Sequence, residues 1–115
     1  PFMTGRIVDV AAALTAAAYP EEAVGRLVLS VEDPLAPWNH GTFSLDVRSG
    51  KGHAEPDHGS APDIHLTVGA LTQLFFGRLS LGEILRLGRA ESCDRGIRLG
   101  EAFFPPCRNY INEYF

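Results

Sequence analysis

Residues 26–47, RLVLSVEDPLAPWNHGTFSLDV, restrict the possible folds more than any other stretch of the chain. Leu27, Leu29 and Val31 alternate with Val28, Ser30 and Glu32, and Phe43, Leu45 and Val47 alternate with Thr42, Ser44 and Asp46. A period of two puts each set on one face of a sheet. The two apolar sets are expected to share the core face, and Val28 implies that the other face is not wholly wet. The connector, residues 33–41, reads DPLAPWNHG. Its two prolines fix φ and cannot donate ladder hydrogen bonds. Asn39, His40 and Gly41 tolerate turn and left-handed conformations. The single tryptophan, Trp38, falls inside this turn. An indole there is expected to pack over the sheet end with its N–H satisfied, and Asn39 to bond backbone within the loop.

A chain of 115 residues is long enough for one domain with a real core and too short for two, so residues 1–115 are expected to form a single domain. With 45% hydrophobic and 21% charged residues it reads as globular rather than disordered. The net charge is −4 and the ten basic residues are scattered, which argues against a nucleic-acid partner. No apolar run approaches membrane-spanning length and nothing reads as a signal peptide, so no membrane partner is expected. Cys93 and Cys107 make no disulfide framework and are read as reduced thiols of a cytoplasmic protein. The opening Pro1-Phe2-Met3-Thr4-Gly5, with no initiator Met at position 1, reads as a piece cut from a longer protein, with a processed or trimmed chain as the alternative.

The remaining pattern is mixed. Residues 2–8 alternate loosely and predict a short strand. Asp9 is a plausible N-cap for an alanine-rich helix over residues 10–18, ended by Tyr19-Pro20. A third strand is expected over residues 52–55 and a fourth over residues 63–68, where Ile64, Leu66 and Val68 alternate. The second half turns helical. Leu71, Leu74 and Phe75 share a face before Gly77. Ser80 and Glu83 form a capping box for a helix whose buried stripe is Leu81, Ile84, Leu85 and Leu87. A further helix is expected over residues 94–104, weakened by Gly96 and Gly100. Together these predict an α+β fold: a mainly antiparallel sheet of about five strands packed with three to four helices. Leu27, Leu29, Val31, Phe43, Leu45, Ile64, Leu66, Leu74, Phe75 and Leu85 are the expected core, without a lipid-sized void.

No motif completes an active site. His53 and His58 share a stretch with Glu55 and Asp57, but no paired-Cys or HExxH spacing supports a metal site. His65 alternates with Ile64 and Leu66 and is expected on the wetter face of the sheet. His40, beside Trp38, reads as a hydrogen-bonding turn residue. Ser92-Cys93-Asp94 lacks a nucleophile signature, and no glycine-rich phosphate cradle is present. The apolar helix stripes are most simply core, with a lipid-binding groove as the sharper alternative.

Four stretches carry a resemblance: PFM with GRIVDV near the start, the turn from Asp33-Pro34 through Pro37-Trp38-Asn39-His40-Gly41, LTQLFFG at residues 71–77, and YINEYF at residues 110–115. In this order they resemble the C-terminal domain of Eis-type acetyltransferases of the GNAT superfamily, a domain similar to sterol carrier protein 2. The family often carries Asn where His40 stands. The resemblance implies an accessory domain of an acetyl-CoA-dependent N-acetyltransferase acting on small amines, aminoglycosides among them. It implies upstream GNAT domains in the same polypeptide, which hold acetyl-CoA, so that this domain itself binds no cofactor or metal. It also implies homo-oligomers, commonly hexamers. The site residues it implies are Phe115, through its terminal carboxylate as general base, and Tyr114, Glu113 and Trp38 as substrate-pocket wall. The alternatives are an independent lipid- or sterol-binding module and a purely structural oligomerisation domain.

Overall fold

The computed structural model describes Ile7 and residues 9–105. Helix α1 (Val10–Ala16) begins on the Asp9 cap, whose side chain accepts the Ala12 N–H. Strand β1 (Gly25–Glu32) leads through a 3-10 turn (Pro37–Asn39) into β2 (Gly41–Arg48). A two-residue turn joins β2 to β3 (Lys51–Pro56). Ser49 and Gly50 both have positive φ there, the twist that suits a tight hairpin. Then come β4 (Ile64–Thr67), α2 (Val68–Phe75), α3 (Leu81–Arg86), β5 (Ala90–Ser92) and α4 (Asp94–Phe103).

The sheet order is β3-β2-β1-β4-β5, antiparallel throughout except that β1 and β4 run parallel. In the register Leu29 stands between Phe43 and Ile64, and Leu45 between Leu27 and Ala54. The expected apolar sets therefore form one face. Against it the four helices contribute Val10 and Leu14, Leu71 and Leu74, Leu81 and Ile84, and Phe103. Of the expected core, Phe75 and Leu85 are only partly buried and the rest are buried.

The opposite face is partly covered as well. Because β2 and β1 lie between β3 and β4, residues 57–62 must cross that face. Asp57 donates its N–H to the Thr42 carbonyl at 2.8 Å as the crossing begins, and Asp63 donates to the Val28 carbonyl at 2.8 Å as it ends. Val28 and Ser44 are buried there despite pointing away from the helices.

Three expectations change. The strand expected over residues 2–8 lies outside the described residues except for Ile7, and the fifth strand of the sheet is Ala90–Ser92. Three residues are too few for an alternation to register. Helix α1 stops at Ala16, before Tyr19-Pro20, because Ala17 is already extended. Leu87 is 62% exposed, not part of a buried stripe. The helix ends at Arg86 and the chain reverses at Gly88, whose φ is +73°.

Candidate functional site

The β1–β2 turn is the most tightly organised irregular segment. Asp33, 2% exposed, accepts the N–H groups of Leu35 at 3.0 Å and Ala36 at 3.1 Å on Oδ1, and Asn39 Nδ2 at 3.0 Å on Oδ2. Asp followed by Pro is the chemistry of such a turn. The Asp33 N–H is donated to His40 Nδ1 at 3.2 Å, so Nδ1 is the unprotonated ring nitrogen. His40 is thus a hydrogen-bonding turn residue, as its place in the sequence predicts. Asn39, fully buried, reaches out of the loop: its Oδ1 accepts the Val10 N–H at 2.8 Å and so ties the turn to the start of α1.

Trp38 departs from expectation. It is 62% exposed rather than packed over the sheet end. Successive residues of a 3-10 turn point about 120° apart. With Asn39 drawn inward by two hydrogen bonds, its neighbour is carried outward. Leu35, in the same turn, is 81% exposed.

The other candidate side chains do not converge. His65 lies on the outer face, as expected, with Nδ1 2.9 Å from Ser30 Oγ. Glu32 is 4.0 Å from Nε2, too far for the hydrogen bond that would orient a catalytic base. His65 and Glu32 border an open depression of about 250 Å³ that also includes Arg89 and Glu91. A second open depression, of about 660 Å³, lies at the opposite end of the sheet among Arg26, Asp46, Arg48, Lys51 and His53. His53 is 3.4 Å from Glu55, and among the described residues no group of three or more His, Cys, Asp or Glu side chains could hold a metal. The Ser60 hydroxyl and the Gly59 N–H hold the Asp57 carboxyl below its ordinary range, with Arg26 adding to them at 3.0 Å. Cys93 is a free thiol whose sulfur accepts the Gly96 N–H at 3.4 Å, capping α4. Cys107, Glu113, Tyr114 and Phe115 lie outside the described residues. Among the described residues, no helix is long and apolar enough to cross a membrane.

Asp33 and Thr72 organise this end of the domain and carry no functional motif. Asp33-Pro34 is legible as a turn signal. The Thr72 hydroxyl, which accepts the Ile7 N–H at 3.0 Å, has no local signature because its partner is 65 residues away.

Comparison with known proteins agrees with this architecture. A family model described as a sterol carrier protein domain matches residues 10–112. An uncharacterized N-acetyltransferase of Streptomyces avermitilis is 35% identical over 91 residues, covering 79% of this chain and 22% of that protein. Eis1 from Mycobacterium abscessus superposes with a TM-score of 0.70 and 31% identity, over 86% of this chain and 24% of its own. A GCN5-related N-acetyltransferase from Anabaena variabilis superposes with a TM-score of 0.75 and 28% identity, over 89% of this chain and 26% of its own. The chain therefore spans about a quarter of the length of these relatives.

Proposed function

This chain belongs to the sterol carrier protein domain family, and from that premise we propose that it serves as the accessory domain of a longer acetyl-CoA-dependent N-acetyltransferase. The observation that carries this reading is likeness to proteins named as N-acetyltransferases over 79–89% of the chain. The core supports the same choice over a lipid carrier. Leu14, Leu27, Leu29, Leu45, Leu71, Ile84 and Phe103 have no accessible surface. A cavity wide enough for an acyl chain would leave accessible area on its walls.

In this reading the domain itself holds no acetyl-CoA, and the helix ends support that choice. The N-termini of α1, α2, α3 and α4 are already capped by Asp9, Thr67, Ser80 and Cys93, whose side chains accept backbone N–H groups there. Among the described residues, no glycine-rich turn offers its N–H groups to a pyrophosphate. In this reading acetyl-CoA is a substrate held by preceding GNAT domains, and the acceptor is a small amine such as an aminoglycoside. The assembly is a cytoplasmic homo-oligomer, a hexamer in the form the resemblance implies.

The chemistry leaves a role for a base. An amine attacks the thioester carbonyl only as the free amine, and the adduct must shed a proton. The proposed base is the α-carboxylate of Phe115 where that residue closes the polypeptide, with Tyr114 and Glu113 beside the substrate. An α-carboxyl has an ordinary pKa of about 3.3–3.7; aromatic burial raises it and a cationic amine lowers it. Appending one glycine to the full polypeptide displaces the carboxylate and spares the core. The rate constant for acetyl transfer should then fall on the order of 10²–10⁴-fold with the oligomer intact. Near-normal turnover in that variant would remove the carboxylate from the mechanism.

A further inference from the structure

The described residues carry four large apolar side chains that are mostly exposed: Val24, Leu35, Trp38 and Leu87. Three of them gather at one end of the sheet. Glu32, the last residue of β1, stands beside Thr67, the last residue of β4. Leu66 stands beside Ala90, the first residue of β5. The β1–β2 turn with Leu35 and Trp38 and the α3–β5 turn with Leu87 therefore leave the sheet at the same end. Val24 precedes β1 at the other.

We propose that this end is the docking face for the preceding part of the same polypeptide, with Trp38 and Leu35 as its anchors. The proposal rests on the reading of the chain as one domain of a longer N-acetyltransferase. It assigns Trp38 to an interdomain contact in place of the substrate-pocket wall.

Three observations support it. The first is rigidity. Asp33, Asn39 and His40 tie the turn through hydrogen bonds of 2.8–3.2 Å, two of these residues being almost wholly buried. Ordering a loop on binding costs affinity, and a loop ordered by folding avoids that cost. Trp is the side chain most enriched at the energetic centres of interfaces, and apolar groups clustered on a surface mark contact sites.

The second is the route of the chain. The Val10 N–H is held by Asn39 of the turn at 2.8 Å, and the Ile7 N–H by Thr72, one turn into α2, at 3.0 Å. Helix α2 starts where β4 ends, at this same end. The first described residues of the chain are thus held beside the turn that carries Leu35 and Trp38. In the proposed reading the preceding domains are tethered there at a millimolar effective concentration, at which a modest apolar contact suffices. The third is length: about three quarters of each relative lies outside the part this chain matches.

The test is hydroxyl-radical footprinting of the full polypeptide, read by mass spectrometry residue by residue against the denatured polypeptide. The expected result is strong protection of Leu35, Trp38 and Leu87, at least about fivefold beyond that of Val24, as for side chains in a desolvated interface centre. The protection should persist on dilution to the monomer. Oxidation of Trp38 and Leu35 at the rate their exposure in this domain allows would overturn the proposal. Protection that disappears as an oligomer dissociates would overturn it too, by making a second copy the occupant. A parallel acetyl-transfer assay separates the two levels. Protection without acetyl transfer keeps the docking face and removes the enzymatic reading. Acetyl transfer without protection does the reverse.

Discussion

Asn39 and Trp38 are neighbours with opposite energetic weight. Asn39 has no accessible surface, and its amide joins the backbone of α1 to the Asp33 carboxylate. Asn39→Ala leaves the Val10 N–H and Asp33 Oδ2 short of a partner. Removing one hydrogen-bond partner of a buried group costs about 1–3 kcal/mol, so the urea midpoint should fall clearly. Trp38→Ala removes a mostly exposed ring and should cost clearly less than Asn39→Ala. A fall of comparable size in both variants would mean that the ring is packed. The turn itself was legible in the sequence, since two prolines and Asn-His-Gly allow little else. The direction of the indole was not. It depends on Asn39 being pulled inward by Val10, 29 residues away, and no local pattern encodes that pairing.

Among the elements, α3 and α4 show opposite kinds of legibility. The Ser80–Glu83 box is readable from spacing alone and forms as expected: the Glu83 N–H donates to Ser80 Oγ at 3.1 Å, and the Ser80 N–H to Glu83 Oε1 at 2.9 Å. The Ser80 backbone and hydroxyl bonds hold the Glu83 carboxyl below its ordinary range. A carboxyl lowered on folding stabilises the fold above its unfolded pKa, and that contribution is lost as pH falls through the folded value. Glu83→Gln keeps a hydrogen-bonding group but no charge. The difference in melting temperature between wild type and this variant should therefore be largest near neutral pH and vanish in acid. A difference that stays constant with pH would contradict the charge-based cap. In α4 the glycines look like weaknesses, and the fold gives them a purpose. A Cβ at Gly96 would sit 2.6 Å from the Asp63 carbonyl oxygen and against Ser92 Oγ, where backbone cannot yield. At Gly100 it would meet Leu81 Cδ2 at 2.7 Å, the movable end of a side chain. Alanine gains about 0.8–1 kcal/mol of helix propensity over glycine, against an overpacking cost of about 1–3 kcal/mol. Gly96→Ala should be net destabilising and Gly100→Ala close to neutral in thermal melts. The reverse order would refute the close approach of α4 to β4. Strand β5 escaped sequence reading because three residues cannot display a period.

At the scale of the whole molecule, the alternating strands and the helix stripes made the α+β architecture and most of the core legible. The parallel β1–β4 pairing was not, because it depends on residues 57–62 crossing two strands, and nothing local specifies that path. The same crossing covers the outer face of the sheet around Val28 and Ser44. What emerges is a filled domain whose helices and core leave no wall for an acyl chain among its fully buried side chains. Among the described residues, three of the four large apolar side chains that are mostly exposed, Leu35, Trp38 and Leu87, lie at the end of the sheet where α1 begins. Such a domain suits a part that completes a larger enzyme better than one that carries a ligand by itself. The direct measurement is the rate of acetyl-CoA-dependent amine acetylation by the full polypeptide and by a form ending before this domain. If the domain supplies the base and completes the pocket, the shortened form, shown to be folded by calorimetry, should be slower on the order of 10²–10⁴-fold. Equal rates in the two forms would contradict an accessory catalytic role.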